Sequence, residues 1–299
     1  MRRIVWVVGI ASVLASASCA SPLAWQAQTP VTVPLIGVYE QGVPNSYELI
    51  RSFTLATGVQ PRIVLYYSAW YEKFSTSFAR TAASNDAVPF VELEPWNVSL
   101  RAITAGRYDN YLRAYAASVR SFGHPVILSF AHEMNGDWYP WGEGHVDPST
   151  FVNAWRHVVD IFRAQGASNV AWLWTVSSVN LTSSPLLEWW PGSRWVDDVG
   201  IDGYYYRASD TFSSVFGTTI AQVRKFGHDP ILISETAVGP AAGPTKIAGI
   251  FAGIRTDHLL GLVWFDKAQD DPPIHQDWRL ENTPAALSAF RLAAKRAGA

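Results

Sequence analysis

A single (β/α)8 barrel is the fold class this sequence predicts, on three observations. Apolar runs rich in β-branched and aromatic residues recur eight times. Amphipathic stretches of helical period stand between them. The alternative, a doubly wound open sheet, usually has fewer strands and a glycine-rich phosphate loop after its first strand, which is missing here.

In chain order the strand-like runs are LIGVYE (35–40), RIVLYYSAW (62–70), VPFVELEPW (88–96), PVILSFAHE (125–133), VAWLWTVSS (170–178), VDDVGIDGYYY (196–206), PILISETAVG (230–239) and LLGLVWFDKA (259–268). Between them, YDNYLRAYAASVRSFG (108–123) and PSTFVNAWRHVVDIFRAQG (148–166) read as helices, each ending in a glycine suited to a C-cap. A last helix, TPAALSAFRLAAKRAG, follows the eighth strand. The barrel domain is thus expected over residues 34–299.

The segment before it differs in kind. MRRIVWVVGIASVLASASCASP has two arginines, an apolar stretch and then small residues, the anatomy of an export signal over residues 1–20. The only cysteine, Cys19, lies in SASC, which resembles a lipoprotein cleavage box, and a lipid on Cys19 would tie the protein to a membrane. Ordinary cleavage after Ala20 is the alternative. Either way the expected location is extracytoplasmic, secreted or lipid-anchored, with residues 21–33 as a linker. Exported with no cysteine pair, the domain must be stable without disulfides. A net charge of −2 and no long basic run argue against a nucleic-acid partner, and a monomer is expected.

In such a barrel, chemistry sits at the C-terminal strand ends, where Glu94, Glu133, Asp202 and Glu235 terminate apolar runs. Period-two alternation sets Ile127, Ser129, Ala131 and Glu133 inward and Val126, Leu128, Phe130 and His132 toward the helices. The same rule groups Ile231, Ile233 and Glu235; Asp198, Gly200, Asp202 and Tyr204; and Leu262, Trp264 and Asp266. Glu133, Asp202, Tyr204, Glu235 and Trp264 are therefore expected to converge at the barrel mouth, unless a β-bulge shifts the parity. Several inward carboxylates without matching basic residues are costly as mere packing. Two on different strands suit glycosyl transfer, where one donates a proton and the other attacks the anomeric carbon.

Competing chemistries lack their residues. His132 and Glu133 have no second histidine at the spacing of a zinc helix, so no metal is expected. No GxSxG elbow occurs, and the lone cysteine is in the signal. No cofactor is implied. Trp70, Trp96, Trp138, Trp141, Trp174 and Trp264 lie at or just past strand ends, as a sugar cleft would need.

HEMNGDWYPWG (132–142) resembles the signature of glycoside hydrolase family 26, a retaining family of (β/α)8 enzymes. The likeness continues through WRHVVDIFRAQGASNVAWLWT, WWPGSRWVDDVGIDGYYY, ILISETAVG and VWFDK. It implies Glu133 as general acid/base and Glu235 as nucleophile. It also implies His132 hydrogen-bonding in the −1 subsite, Tyr204 holding the nucleophile with Asp202 in support, and Trp138 and Trp264 touching sugar. The chain departs from the family's mannanases at VELEPW, where Glu94 and Trp96 stand near a position those enzymes tend to fill with histidine, and at WFDKAQD, which lacks an arginine. The expected function is an exported retaining endo-β-glycanase with β-1,4-mannan as first-choice substrate and β-1,3-1,4-glucan or β-1,3-xylan as alternatives. A non-catalytic polysaccharide-binding protein is the reading from another class.

Overall fold

The computed structural model describes residues 33–178, 184–227, 230–269, 274–281 and 283–298. The export segment with Cys19, the linker up to residue 32 and Asn180, a sequence match to a glycosylation acceptor, lie outside the described residues.

Eight strands form a closed barrel: β1 (Leu35–Glu40), β2 (Ile63–Ala69), β3 (Val88–Glu94), β4 (Val126–Phe130), β5 (Val170–Ser177), β6 (Asp198–Asp202), β7 (Ile231–Thr236) and β8 (Gly261–Asp266). Each pairs in parallel with the next, and β8 closes on β1 from Leu35↔Gly261 to Glu40↔Asp266. All eight expected strands are present, and most stop short of the residues assigned to them. The polar residues just past those ends are thereby freed from the ladder to form the mouth.

The outer layer comprises α1 (Glu48–Thr57), α2 (Thr76–Ser84), α3 (Leu100–Thr104), α4 (Asp109–Phe122), α5 (Pro148–Ala164), α6 (Thr218–Lys225), α7 (Thr245–Thr256) and α8 (Pro284–Ala297). α5 shows why these segments are helical. Asp147 caps its start, accepting from Thr150 N–H at 2.9 Å, Pro148 occupies the first turn, and Phe151, Trp155, Val158, Val159 and Phe162 form one buried stripe. α4 and α8 end at Gly123 and Gly298, both in the left-handed region (φ 75° and 89°). The regular strand–helix alternation fails once: among the described residues, β5 and β6 are linked by a single 3-10 turn, Leu186–Trp189. No described helix is long and apolar enough to cross a membrane.

Two local departures from period two decide what faces the mouth. β4 ends at Phe130, and Ala131 and Glu133 both have positive φ (52° and 51°), which for side chains other than glycine costs on the order of 1–3 kcal/mol each. On β7 the register against β6 advances three residues, Leu232 to Glu235, while β6 advances two, Gly200 to Asp202. The extra residue is a β-bulge. It turns Ser234 and Glu235 both inward, and Ile233, paired with Leu262, faces the helices.

Candidate active site

Glu235 sits where the bulge leaves it, almost fully buried. It accepts short hydrogen bonds on both oxygens, from the Tyr67 hydroxyl of β2 on Oε1 and from the Tyr204 hydroxyl just past β6 on Oε2. Burial pushes its pKa up, while the charge of His132, the two phenols and the charge of Lys267 pull it down.

Glu133 is fixed differently. Its backbone N–H donates to Thr175 O of β5 at 3.0 Å, and its Oε2 accepts one hydrogen bond, from the Trp138 indole at 2.8 Å. Desolvation pushes its pKa up to about 7, the Glu235 carboxylate adding to the rise while His132 and the indole oppose it. Trp138 can reach back because Gly136 offers no side chain: a Cβ there would lie 2.3 Å from the indole ring. The loop carrying both is pinned by Asn135, whose Nδ2 donates to Ser177 O at 2.8 Å and whose Oδ1 accepts from Ser177 N–H at 2.9 Å.

Beneath the two glutamates lies an acid floor. Glu92 of β3, fully buried, forms an ion pair with Nδ1 of His132, whose Nε2 lies 3.1 Å from the Tyr139 hydroxyl. Burial alone would discharge this imidazole, but Glu92, Glu94 and Glu133 outweigh it and raise its pKa to about 10. Glu92 itself is pushed up to about 7 by burial despite the histidine. Asp202 is buried, accepts from Ser234 Oγ at 2.6 Å, and is driven well above the usual carboxylate range by burial and then by Glu235 and Glu133.

Glu92, Asp202 and Glu235 each bring an oxygen within 4.8 Å of the others. That spacing would suit a cation, but Glu235 already takes two phenol donors and Glu92 the imidazolium. Repulsion at this range is relieved by protons on some of the acids; burial leaves the Glu235 pKa raised on balance, and the two phenol donors oppose that rise.

The Glycosyl hydrolase family 26 model matches residues 80–251, more than half of the chain. The chain belongs to this family. Endoglucanase H of Acetivibrio thermocellus is 32% identical over 268 residues, covering 84% of this chain but 29% of that protein. A mannan endo-1,4-β-mannosidase of Bifidobacterium adolescentis is 32% identical over 133 residues, 42% of this chain and 13% of that one. The chain therefore spans less than a third of the length of these two relatives. Among solved structures, the catalytic domain of a family 26 endo-β-1,4-mannanase from Bacillus sp. JAMB-750 superposes with TM-score 0.71 at 17% identity, over 93% of this chain and 91% of that one. At that identity the likeness speaks for the barrel alone.

Of the residues the sequence singles out, this family 26 barrel brings Glu94, Glu133, Asp202, Tyr204 and Glu235 into one electrostatic cluster, with Trp96 and Trp138 exposed at its edge. His132 corrects an expectation. Assigned by alternation to the helix side, it lies in the mouth, because the left-handed turns at Ala131 and Glu133 end the alternation before it.

Trp264 corrects another. Expected at the mouth, it is buried against Phe290 of α8, ring centroids 5.4 Å apart, with its indole donating to Trp278 O at 3.2 Å. Phe265 points inward instead, stacked on Tyr39 at 4.8 Å and edge-on to Tyr204 at 5.8 Å. Trp70, Trp141 and Trp174 are core residues too. Trp141 still serves the site from below, its indole donating to His132 O at 2.7 Å.

Three contributors escaped the sequence reading. Tyr67 and Glu92 lie inside strand runs whose inward parity was available, and their hydroxyl and carboxyl reach the centre. Trp278 supports Tyr204 from the loop after β8, at 5.0 Å. In that loop, residues Ala268–Gln269 pair with Gln276–Asp277 in a two-stranded ladder that no pattern in the sequence announced.

Proposed function

We propose that this chain is an endo-acting, retaining β-glycanase, with Glu235 as nucleophile and Glu133 as general acid/base. The observation that carries the reading is the unequal treatment of two glutamates in one mouth. Two phenol hydroxyls favour the anion of Glu235, while Glu133, with one indole donor, holds its proton to about pH 7.

In the first step, Glu235 attacks the anomeric carbon as the glycosidic bond breaks, and the Glu133 proton goes to the leaving oxygen. Glu133, now a carboxylate, takes a proton from water, whose oxygen displaces Glu235 and restores both groups. Throughout, Glu92 holds the His132 imidazolium close to both glutamates. That charge counters their mutual repulsion as the proton leaves Glu133.

For the substrate, a β-1,4-linked or mixed-linkage β-glucan now stands ahead of β-1,4-mannan. The relative named an endoglucanase matches twice as much of the chain as the one named a mannosidase, and VELEPW, with Glu94 and Trp96 near the strand end, departs from the histidine that mannanases of the family tend to offer on strand three. Mannan keeps the support of its own relatives, and a relative from Vibrio named a β-1,3-xylanase, 24% identical, keeps that sugar in the panel. The N-terminal sequence supports export before the enzyme meets such a polymer. Release of reducing ends from lichenan, β-mannan and β-1,3-xylan, assayed side by side, tests the reading. Activity on one of them that disappears in Glu133→Ala and Glu235→Ala is expected; a protein inert on all three sinks it.

A further inference from the structure

Four aromatic side chains are strongly exposed among the described residues: Tyr71 (63%), Trp138 (41%), Tyr206 (39%) and Trp96 (37%). All four lie in the segments that follow the C-terminal ends of barrel strands, β2, β4, β6 and β3 in that order. None is on the helical surface. Exposed aromatic surface scattered singly needs no explanation. Exposed aromatics confined to the one face that carries the acid centre do.

Tyr71 is the most exposed and the one furthest from any role in the mechanism. It is also strained, with φ 72°, a left-handed conformation that a bulky side chain avoids. The strain is held in place locally. Glu72 Oε2 accepts from Ala69 N–H at 2.9 Å, and Glu72 N–H donates to Ala69 O at 3.1 Å, closing a tight turn at the end of β2. Tyr108 and Tyr111 then meet the Tyr71 ring edge-on, at 6.0 and 5.7 Å, and buried Trp70 packs against both of them. A turn that costs free energy thus displays a braced, flat ring to solvent.

Position gives the ring a direction. In the closed barrel β2 lies diametrically opposite β6, and the register Ala69↔Glu94 sets Tyr71 and Trp96 two residues beyond paired strand ends. Glu133 accepts the Trp138 indole and its charge also reaches Tyr206, so the acid sits toward the loops that follow β4 and β6. On the glycanase reading, the retained part of the substrate runs away from that acid, toward β2, where Tyr71 stands.

We propose that Tyr71 is the platform of a distal sugar subsite on the retained side of the cleft, stacking against the flat face of a pyranose in a β-linked chain. The proposal rests on the glycanase reading for its direction. It requires only carbohydrate binding for its test.

The test measures binding by calorimetry in the Glu133→Gln background, which prevents turnover. The ligands are β-glucan and β-mannan oligosaccharides from trisaccharide to heptasaccharide. Affinity should rise with length, and adding Tyr71→Gly, which removes the ring and relieves the left-handed strain, should weaken the longer ligands about tenfold and the shortest much less. Tyr71→Phe keeps the flat face and should retain the affinity. Superimposable affinities with and without the ring, an equal loss at every length, or failure of the whole panel to bind would each overturn the subsite. Hydrolysis by the unmodified protein is assayed in parallel. Length-dependent loss with no hydrolysis would leave the subsite standing and remove the glycanase reading instead.

Discussion

Among the described residues the barrel holds two clusters of buried acids, and one of them is equipped for chemistry. At the mouth, Glu92, Glu133, Asp202 and Glu235 meet an imidazolium, two phenols and an indole. Behind the wall, Glu40 at the end of β1 hydrogen-bonds Asp266 at the end of β8, on the helix side of the same barrel. Glu40 is pushed up to about 10 by burial and then by Asp266, and Asp266 to about 7 by burial and then by Glu281. Yet Leu49, Phe53, Ala56, Leu280 and Leu287 make up half of the lining of their small pocket, and the Leu280 N–H is the donor Asp266 receives, at 2.7 Å. A shifted carboxyl is therefore a weak marker by itself. What separates the clusters is a set of donors that favours ionisation of one member and protonation of another, beside exposed aromatic surface.

The largest effect that would break this comparison is on turnover. Glu133→Ala and Glu235→Ala should each lower kcat by about 10³-fold or more on a substrate with a poor leaving group, because each removes a group that acts in the transition state. With an activated aryl glycoside, Glu133→Ala should recover much of its rate and Glu235→Ala should not. Equal recovery by both would remove the distinction between acid and nucleophile.

Next comes the floor. Glu92→Ala leaves His132 without its buried partner and should cost about 3–5 kcal/mol of stability, read as a fall in thermal midpoint of about 10 °C. An unchanged midpoint would mean the pair contributes nothing to the fold.

The pH profile sharpens the contrast further. The rate should fall as pH rises through about 7, where Glu133 loses its proton. Trp138→Phe removes the indole bond that stabilises the Glu133 anion, so that limb should move to higher pH. A move to lower pH would contradict the assigned donor.

The smallest effect belongs to the cluster behind the wall. Glu40 has a raised pKa in the folded protein, so the folded state binds the proton more tightly than the unfolded one. Its contribution is full below the ordinary carboxylate range and is lost as pH rises toward about 10. Glu40→Gln keeps a neutral donor and should gain thermal stability over the parent at pH 8 to 9, by several degrees, the gap closing toward pH 5. Activity at neutral pH should change little, which is what sets this cluster apart.

Much of this was legible in the sequence, for reasons that differ from residue to residue. The barrel followed from eight apolar runs, because parallel strands buried on both faces read as continuous hydrophobic segments. That same continuity hides which face is which on β8: in GLVWFD both faces are apolar, so alternation carries no sign, and Phe265 faces inward where alternation alone favours Trp264. Asp202 and Tyr204 were legible because a polar group ending an apolar run has few places to go.

Glu133 and Glu235 both reach the mouth although period-two alternation fails at both. A left-handed turn brings in Glu133 together with His132, and a bulge brings in Glu235 together with Ser234. Positive φ at alanine and glutamate has no signal in the residue types. Tyr67 did have one, since it shares the inward face of β2 with Ile63 and Leu65, but a tyrosine among Tyr66, Trp70 and Tyr71 reads as core until its partner is known.

Trapping with a 2-deoxy-2-fluoro glycosyl donor of the cleaved sugar, followed by peptide mapping, tests the central claim most directly. The fluorine slows both displacement steps, and a good leaving group restores the first, so the glycosyl-enzyme accumulates. One label per chain on the peptide containing Glu235 is the predicted result. A label on Glu133 or on Asp202, or inactivation with no covalent adduct, would contradict it.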